Sequence, residues 1–449
     1  MTVSVRASVY RAHWEARSRL EGFGLVHAIR LLAESERWDR HRLDALRDEK
    51  LMRVVERAYH ASPHYRRMMD ESGVRPGDIR GIVDLPKLPV LTKDVVRKYG
   101  EALRFRGDVP VELGTTGGST GNPLKVVRDR AGSVWQRGCY WRGLGWGGLR
   151  LGEPYAQLFG GTLGVAQARR LERVKSWFAG KRFLPAFELG PHNAQAYLAR
   201  IAASGARFLI GYTSALHLLA CHAERRGTAL RLTSVFPTAE PLLPGWREKI
   251  AAAFGAAVLP YYGCGEVQSL GYSCPSVPDV YHTCDEHSVI EVETQDGAAL
   301  VGQGPFLVSD LDNHAFPMLR YRNGDAGVLG LPGCPCGRTL GRIERIDGRI
   351  NDVLYATSGN AVSGAIGPHA FKMIEGIEQF QIVQRRQGHV CIRMVRLPTY
   401  APAVEEAKLD EIFRHHLGRD AEIELEYVES IPRTAAGKAR FIISEISAA

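Results

Sequence analysis

Gly114-Thr115-Thr116-Gly117-Gly118-Ser119-Thr120-Gly121-Asn122-Pro123-Leu124-Lys125 packs glycines and hydroxyls into one short loop ahead of the apolar pair Val126-Val127. Backbone N–H groups converge on an oxyanion only where side chains leave room, and glycine leaves the most. The threonine and serine hydroxyls add donors, and Lys125 adds a positive charge. The stretch reads as a phosphate cradle. A Walker loop requires Gly-x-x-x-x-Gly-Lys-Ser/Thr. Here Asn122-Pro123-Leu124 separate Gly121 from Lys125, and Val126 follows the lysine. P-loop NTPase chemistry is excluded.

The loop sits in a chain of 449 residues, 45% hydrophobic and 24% charged, which describes a globular protein of several domains. No apolar run approaches the ~18 residues needed to span a membrane. Arg6, Arg11, Glu15 and Arg17 interrupt the N-terminal apolar residues, so a secretory signal is not expected and a cytoplasmic location is. The net charge of +9 invites a nucleic-acid reading, but lysine and arginine are spread along the chain without a basic block. A phosphate-rich small molecule uses the same surplus locally; neither nucleic acid nor membrane is an expected partner. The eight cysteines point to metal or buried thiols rather than disulfides, and Cys264, Cys274, Cys284, Cys334 and Cys336 fall in one region.

Leu51, Val54, Val55, Ala58 and Tyr59 form an amphipathic helical stripe that should stop before Pro63. Pro86-Lys87-Leu88-Pro89 reads as an extended connection. Beyond the glycine loop, a helix over Asn193–Ala203 precedes strands at Arg207–Tyr212 and Ala257–Tyr262. Strands alternating with helices predict an α/β fold with a largely parallel sheet. From about Val289 the pattern changes to short strands and glycine turns, a β-rich part ending near residue 348. The last hundred residues, 349–449, read as a separate α+β domain.

Three further segments follow the loop in order: Tyr261-Tyr262-Gly263-Cys264-Gly265-Glu266, Tyr321-Arg322-Asn323-Gly324-Asp325 and Pro432-Arg433-Thr434-Ala435-Ala436-Gly437-Lys438. Together the four resemble the adenylate-forming superfamily of acyl-coenzyme A ligases and related adenylation enzymes. Ser62-Pro63-His64-Tyr65-Arg66-Arg67 and Cys334-Pro335-Cys336-Gly337-Arg338 resemble its phenylacetate–coenzyme A ligase branch, including members associated with capsular polysaccharide loci. The resemblance implies a large N-terminal adenylation domain, 1–348, with a β-rich subdomain, and a small mobile C-terminal α+β lid, 349–449.

It also implies roles. Thr115, Thr116, Gly118, Ser119, Thr120, Gly121 and Lys125 would hold the β- and γ-phosphates of ATP while a carboxylate attacks the α-phosphorus. Glu266 matches the acidic residue supporting Mg²⁺, and Asp325 the carboxylate that accepts from both ribose hydroxyls. Ala239, Glu240, Pro241, Tyr262 and Gly263 match segments near the adenine. Arg349 matches a basic residue reaching ribose or phosphate, with Arg342 and Arg345 as alternatives. Lys438 would neutralise the carboxylate–phosphate pair during adenylation. Two positions depart from the family. Gly117 stands where a hydroxyl is usual, with Thr115 and Thr116 as replacement donors, and the hinge falls on Asn351 or Asp352.

Cys334-x-Cys336 needs two further ligands for tetrahedral zinc, and Cys274 and His282 are the natural candidates. Some members of the branch resemble this pattern. Four protein ligands leave no open position, so the expected zinc is structural. Cys284 is the competing ligand, Cys264 is expected beside the active site, and His287 and His314 are ordinary surface or core histidines.

Tyr140, Trp141, Phe159, Tyr212 and Tyr261 match the family's acyl pocket, and aromatic walls suit a flat aromatic or other apolar acid. The leading expectation is a two-step ligase in which a small-molecule carboxylic acid and ATP give an acyl-adenylate, and coenzyme A then displaces AMP. Its rival passes the acyl group to an amine, a hydroxyl or a carrier-protein thiol. A carrier protein and a homodimer are the macromolecular partners left open. A zinc-ribbon interaction module would need basic residues around the cysteines, and Leu331, Pro332, Pro335 and Leu340 stand there instead.

Overall fold

A computed structural model describes residues 5–105, 111–115, 124–159, 170–189, 192–243, 245–295, 297–349, 353–363, 370–371, 374–432 and 440–446. Five helices come first: α1 Val5–Leu20, α2 Leu25–Ser35, α3 Arg40–Ala61, α4 Pro63–Glu71 and α5 Lys93–Leu103. The stripe of α3 is buried at Leu51, Val54, Val55 and Ala58, and the helix ends at Ala61. Pro63 then opens α4 at its first position, where a missing N–H costs nothing, and Ser62 caps it. Tyr65 is fully buried; its hydroxyl donates to the Pro317 carbonyl at 2.9 Å and accepts from Leu319 N–H at 3.1 Å. The Ser62–Arg67 motif is thus an anchor for the helical start. The expected extended connection begins only at Leu88, because Pro86 and Lys87 still belong to the 3₁₀ helix Ile82–Lys87.

The hairpin β1 Val111–Thr115 and β2 Lys125–Asp129 pairs antiparallel, with Thr115 opposite Lys125. Asp129 caps α6 Arg130–Trp146 by accepting from Gly132 N–H at 2.9 Å. The glycine loop therefore runs from one strand into another, whereas a Walker loop runs from a strand into a helix.

Among the described residues the central sheet has thirteen strands. Its parallel half holds β3 Tyr155–Phe159, β4 Lys181–Pro185, β5 Phe208–Tyr212, β6 Ser234–Thr238, β7 Ala257–Val258 and β8 Tyr261–Tyr262. The helices between them are α7 Arg170–Phe178, α8 Ala194–Ala203, α9 Thr213–Arg226 and α10 Trp246–Phe254. The helix and strands foreseen at 193–203 and 207–212 stand within a residue. The strand foreseen at 257–262 is two pieces, because Pro260 has no N–H to give a ladder.

From β8 onward the same sheet turns antiparallel. It continues through β9 Gly271–Ser273, β10 Tyr281–Thr283, β11 Ser288–Thr294, β12 Gly297–Ala299, β13 Gly302–Asp310, β14 Tyr321–Gly330 and β15 Arg342–Arg349. The order is β12-β11-β13-β14-β15-β10-β9-β8-β6-β5-β3-β4, with β7 beside β6. The sheet is mixed rather than largely parallel, and the β-rich part extends it.

After β15 come the pair β16 Val353–Tyr355 and β17 Ala361–Ser363, then β18 Ile377–Arg386, β19 His389–Arg396, α11 Pro402–Leu417, β20 Glu422–Tyr427 and β21 Ile442–Ser444. The last four strands form a sheet ordered β20-β19-β18-β21. Leu409, Phe413 and Leu417 line one face of α11 and close a separate apolar core over it. Leu243 and Trp246 join that core from the other side. Among the described residues no helix is long and apolar enough to cross a membrane.

Candidate active site

In an α/β sheet ligands gather at the carboxyl ends of the parallel strands. The turn Gly263–Gln268 leaves β8 at that edge and carries Glu266. Arg128, three residues beyond Lys125, donates to the carbonyls of Gly265 at 2.7 Å and Glu266 at 3.1 Å. The glycine-loop hairpin and the Glu266 turn are thereby fixed side by side. The buried Glu266 carboxylate accepts from the Tyr321 hydroxyl at 3.0 Å. It presents the hard oxygen chemistry that Mg²⁺ takes.

Asp325 lies on β14, four residues beyond Tyr321. It accepts from the Tyr262 hydroxyl at 2.8 Å, and Asn323 Nδ2 donates to the same hydroxyl at 2.7 Å. The Asp325 N–H is held by Asn323 Oδ1 at 3.0 Å. Gly324 between them has φ +86°, a conformation only glycine takes without strain. Burial and then the Asp325 charge push the Tyr262 phenol well above its ordinary value, so it remains a donor. In the β14–β15 register the backbone of Arg349 pairs with that of Asp325.

The segment 239–241 follows β6 at the same edge. Ala239 is left-handed, with φ 65°, and Glu240 Oε2 accepts from Ser214 N–H at 2.7 Å at the start of α9. Lys125 is exposed at the base of the hairpin. Thr116, Gly117, Gly118, Ser119, Thr120, Gly121, Asn351, Asp352 and Lys438 lie outside the described residues. Cys264 does not act as an exposed nucleophile. Its sulfur closes the turn against the Val267 backbone, and burial and then Glu266 push its thiol up.

Four of the five candidate acyl residues pack around one cluster, while Tyr212 belongs to the neighbouring core with Leu209 and Leu216. Tyr140, Trp141, Phe159 and Tyr261 are the partly buried members around an otherwise buried cluster including Tyr155, Phe208 and Phe236. Tyr212 meets Phe159 edge-on at 5.3 Å. α6 comes so close to the sheet that a Cβ at Gly143 would sit 2.1 Å from the Tyr272 ring. Gln157 and Thr238, buried between these aromatics, escaped the sequence reading because no motif marks them.

The proposed metal ligands converge. Cys274, His282, Cys334 and Cys336 each offer a ligand atom, all within 4.8 Å of one another. The Cys274–Cys334 sulfurs are 3.9 Å apart, and Cys336 Sγ is 3.3 Å from His282 Nε2. Zn–S bonds of about 2.3 Å in a tetrahedron imply edges of ~3.8 Å, so the set fits zinc. Burial, then Arg338, pulls His282 down to about 4, leaving the neutral ring a metal requires. Arg338 donates to Cys336 Sγ at 3.5 Å, and its guanidinium is ion-paired to Glu36 at 3.2 Å. The competitor Cys284 lies instead in a buried cluster with Leu32, Cys139 and Tyr272.

His287 is not an ordinary histidine. Its Nδ1 bonds Asp312 at 2.8 Å, and Lys50 Nζ holds the other Asp312 oxygen at 2.7 Å, all of them buried. Burial opposes its charge, but Asp310 and Asp312 outweigh it and the ring is pushed up to about 9. Lys50 and Asp312 lie 262 positions apart, which hides the pair from any local pattern.

Residues 354–445 match the family described as the CapK C-terminal domain. The chain is 29% identical over 385 residues to the phenylacetate–coenzyme A ligase of Thermus thermophilus, covering 79% of this chain and 81% of that one. It is 27% identical over 383 residues to the phenylacetate–coenzyme A ligase of Escherichia coli, with 78% and 80% covered. In structure it is similar to a 2-hydroxyisobutyryl-CoA ligase in the postadenylation state, at TM-score 0.75, 20% identity and 92% coverage of both chains. Against the same ligase in its thioesterification state the TM-score is 0.61 at 22% identity, covering 92% of this chain and 91% of that one.

Proposed function

We propose that this chain, an adenylate-forming ligase in fold and a sequence relative of the phenylacetate–coenzyme A ligases, activates a carboxylic acid with ATP and transfers the acyl group to coenzyme A. The observation that carries the reading is the joining of three motifs at one sheet edge. Tyr262 holds Asp325, Tyr321 holds Glu266, and Arg128 ties the Glu266 turn to the glycine-loop hairpin.

In the first step the acid's carboxylate oxygen attacks the α-phosphorus, and the bond to the β-phosphate oxygen breaks to release pyrophosphate. Asp325 accepts the ribose hydroxyls with its carboxylate fixed by Tyr262. The 115–125 loop and Lys125 hold the β- and γ-phosphates, and Lys438 meets the charge where carboxylate and α-phosphate approach. Glu266 would hold Mg²⁺, which supplies charge neutralisation on the phosphates. Residues 239–241 border the adenine, and Arg349 reaches ribose or phosphate. In the second step the coenzyme A thiolate attacks the acyl carbon and AMP leaves.

Tyr140, Trp141, Phe159, Tyr212 and Tyr261 form the walls for an aromatic acid. Cys274, His282, Cys334 and Cys336 would hold a structural zinc, which would supply a tie between the β9–β10 hairpin and the β14–β15 connection. The division between domains falls at residues 348–349, with the pivot at Asn351 or Asp352.

A second reading keeps adenylation and changes the acceptor to an amine, hydroxyl or carrier-protein thiol. Acid-dependent incorporation of labelled pyrophosphate into ATP tests adenylation, and thioester formation on adding coenzyme A separates the two readings.

A further inference from the structure

Among the described residues the hairpin β1–β2, which carries the glycine loop, forms a sheet of two strands and joins no larger one. Such a ribbon is marginal by itself in water, so its placement beside Glu266 and Asp325 needs a tether.

Asn313, in the β13–β14 connection, supplies one. In a strand the C=O of one residue and the N–H two residues on point to the same edge, where one residue of a parallel neighbour would bond both. Asn313 Nδ2 donates to the Val127 carbonyl at 2.9 Å, and Asn313 Oδ1 accepts from the Asp129 N–H at 3.4 Å. A carbonyl only accepts and an N–H only donates, so the pair fixes which way round the amide sits. One side chain thus does for β2 what a neighbouring strand would do.

The contact is reciprocal. Asp129 Oδ2 accepts from the backbone N–H groups of His314 and Ala315 at 2.9 and 3.0 Å. Asn313 is fully buried, and its own N–H is held by Asp310 Oδ1 at 3.1 Å. Beside it, Asp312 is held by Lys50 and His287. A Cβ on Gly132, at the start of α6, would come within 3.2 Å of Asn313 Cα and Cβ, so that helix closes tightly over the residue.

From this clasp the chain leads both ways into the active site. Lys125, at the end of the glycine loop, lies two residues before Val127. Tyr321, which holds Glu266, and Asp325 follow Asn313 on β14. The clasp is where the phosphate loop is registered against the two carboxylates.

We propose that Asn313 is a positioning residue for ATP: through the edge of β2 it sets the glycine loop on the β- and γ-phosphates without itself touching the nucleotide. The role rests on the ligase reading. It produces a split that general damage does not, because AMP has the ribose and α-phosphate but nothing for the β- and γ-phosphate cradle.

The test compares dissociation constants for MgATP and for AMP, by calorimetry on the full chain. Asn313→Asp keeps the shape but sets an acceptor against the Val127 carbonyl; Asn313→Ala removes both bonds and adds no charge. In each variant the constant for MgATP should rise about tenfold while that for AMP stays within about twofold. An equal loss for both nucleotides, or no loss for either, overturns the proposal and leaves the ligase reading standing. Where neither variant folds, the wild-type chain decides. Hydrogen exchange at its Asp129 amide should be slow, and slower still with MgATP but not with AMP; any other pattern overturns the proposal. A wild-type chain that binds neither nucleotide overturns the ligase reading, and the role of Asn313 with it.

Discussion

Tyr262 and Asp325 show how far single residues could be foreseen. Both stand in short motifs, so their identities were legible; their 2.8 Å contact was not, since it joins strands 63 positions apart. If Tyr262 serves to orient Asp325 on the ribose, Tyr262→Phe loses one charge-assisted bond of about 1.5–3 kcal/mol. The expected outcome is a rise of roughly tenfold or more in KM for ATP with kcat little changed, read by steady-state kinetics. His287 makes a different prediction. Its folded pKa is about 9 against an ordinary 6.5, so the folded state binds the proton more tightly. That stabilisation is fully present below about pH 6.5 and is lost as pH rises through about 9. Urea midpoints should fall across this window, and His287→Gln should flatten the decline. A wild-type midpoint independent of pH there would remove the buried ion network from the account.

Among the elements, periodicity gave the helices well and the strands less well. α3 and α8 follow from apolar stripes and from the prolines and glycines that bound them. The antiparallel half of the sheet was read as a separate part because its glycine turns look alike whether or not the strands join a neighbouring sheet. That they do join follows from β8, β9 and β10, three short strands too brief for a pattern. The cysteine cluster was legible because metal chemistry restricts residue type and spacing, yet only folding brings residue 274 to residue 334. Metal analysis should find about one zinc per chain. Chelation should lower the melting temperature by several degrees, and zinc should restore it. An unchanged melting temperature after verified metal removal would leave the four residues without a stapling role.

At the scale of the whole molecule, the last unit rests on the first through a small, defined contact. Trp246 stacks on His217 with ring centroids 4.0 Å apart and an interplanar angle of 5°, and meets Phe441 at 6.0 Å. Arg225 and Glu378 are paired across the same boundary at 3.4 Å. Trp246→Ala should cost ~3 kcal/mol, mostly in docking and in the C-terminal core. Calorimetry should show the transition of the last unit moving down while that of the large sheet stays; equal shifts would place Trp246 in a single shared core. Nothing in the sequence marks Trp246 as a docking residue, because its neighbours Glu248 and Lys249 read as an ordinary helical surface. The central claim is adenylation, and acid-dependent exchange of labelled pyrophosphate into ATP tests it most directly. The account predicts exchange that requires the acid and Mg²⁺ but not coenzyme A, and that Lys438→Ala suppresses far more than it weakens nucleotide binding. ADP as the product, or exchange driven by no carboxylic acid, would contradict it.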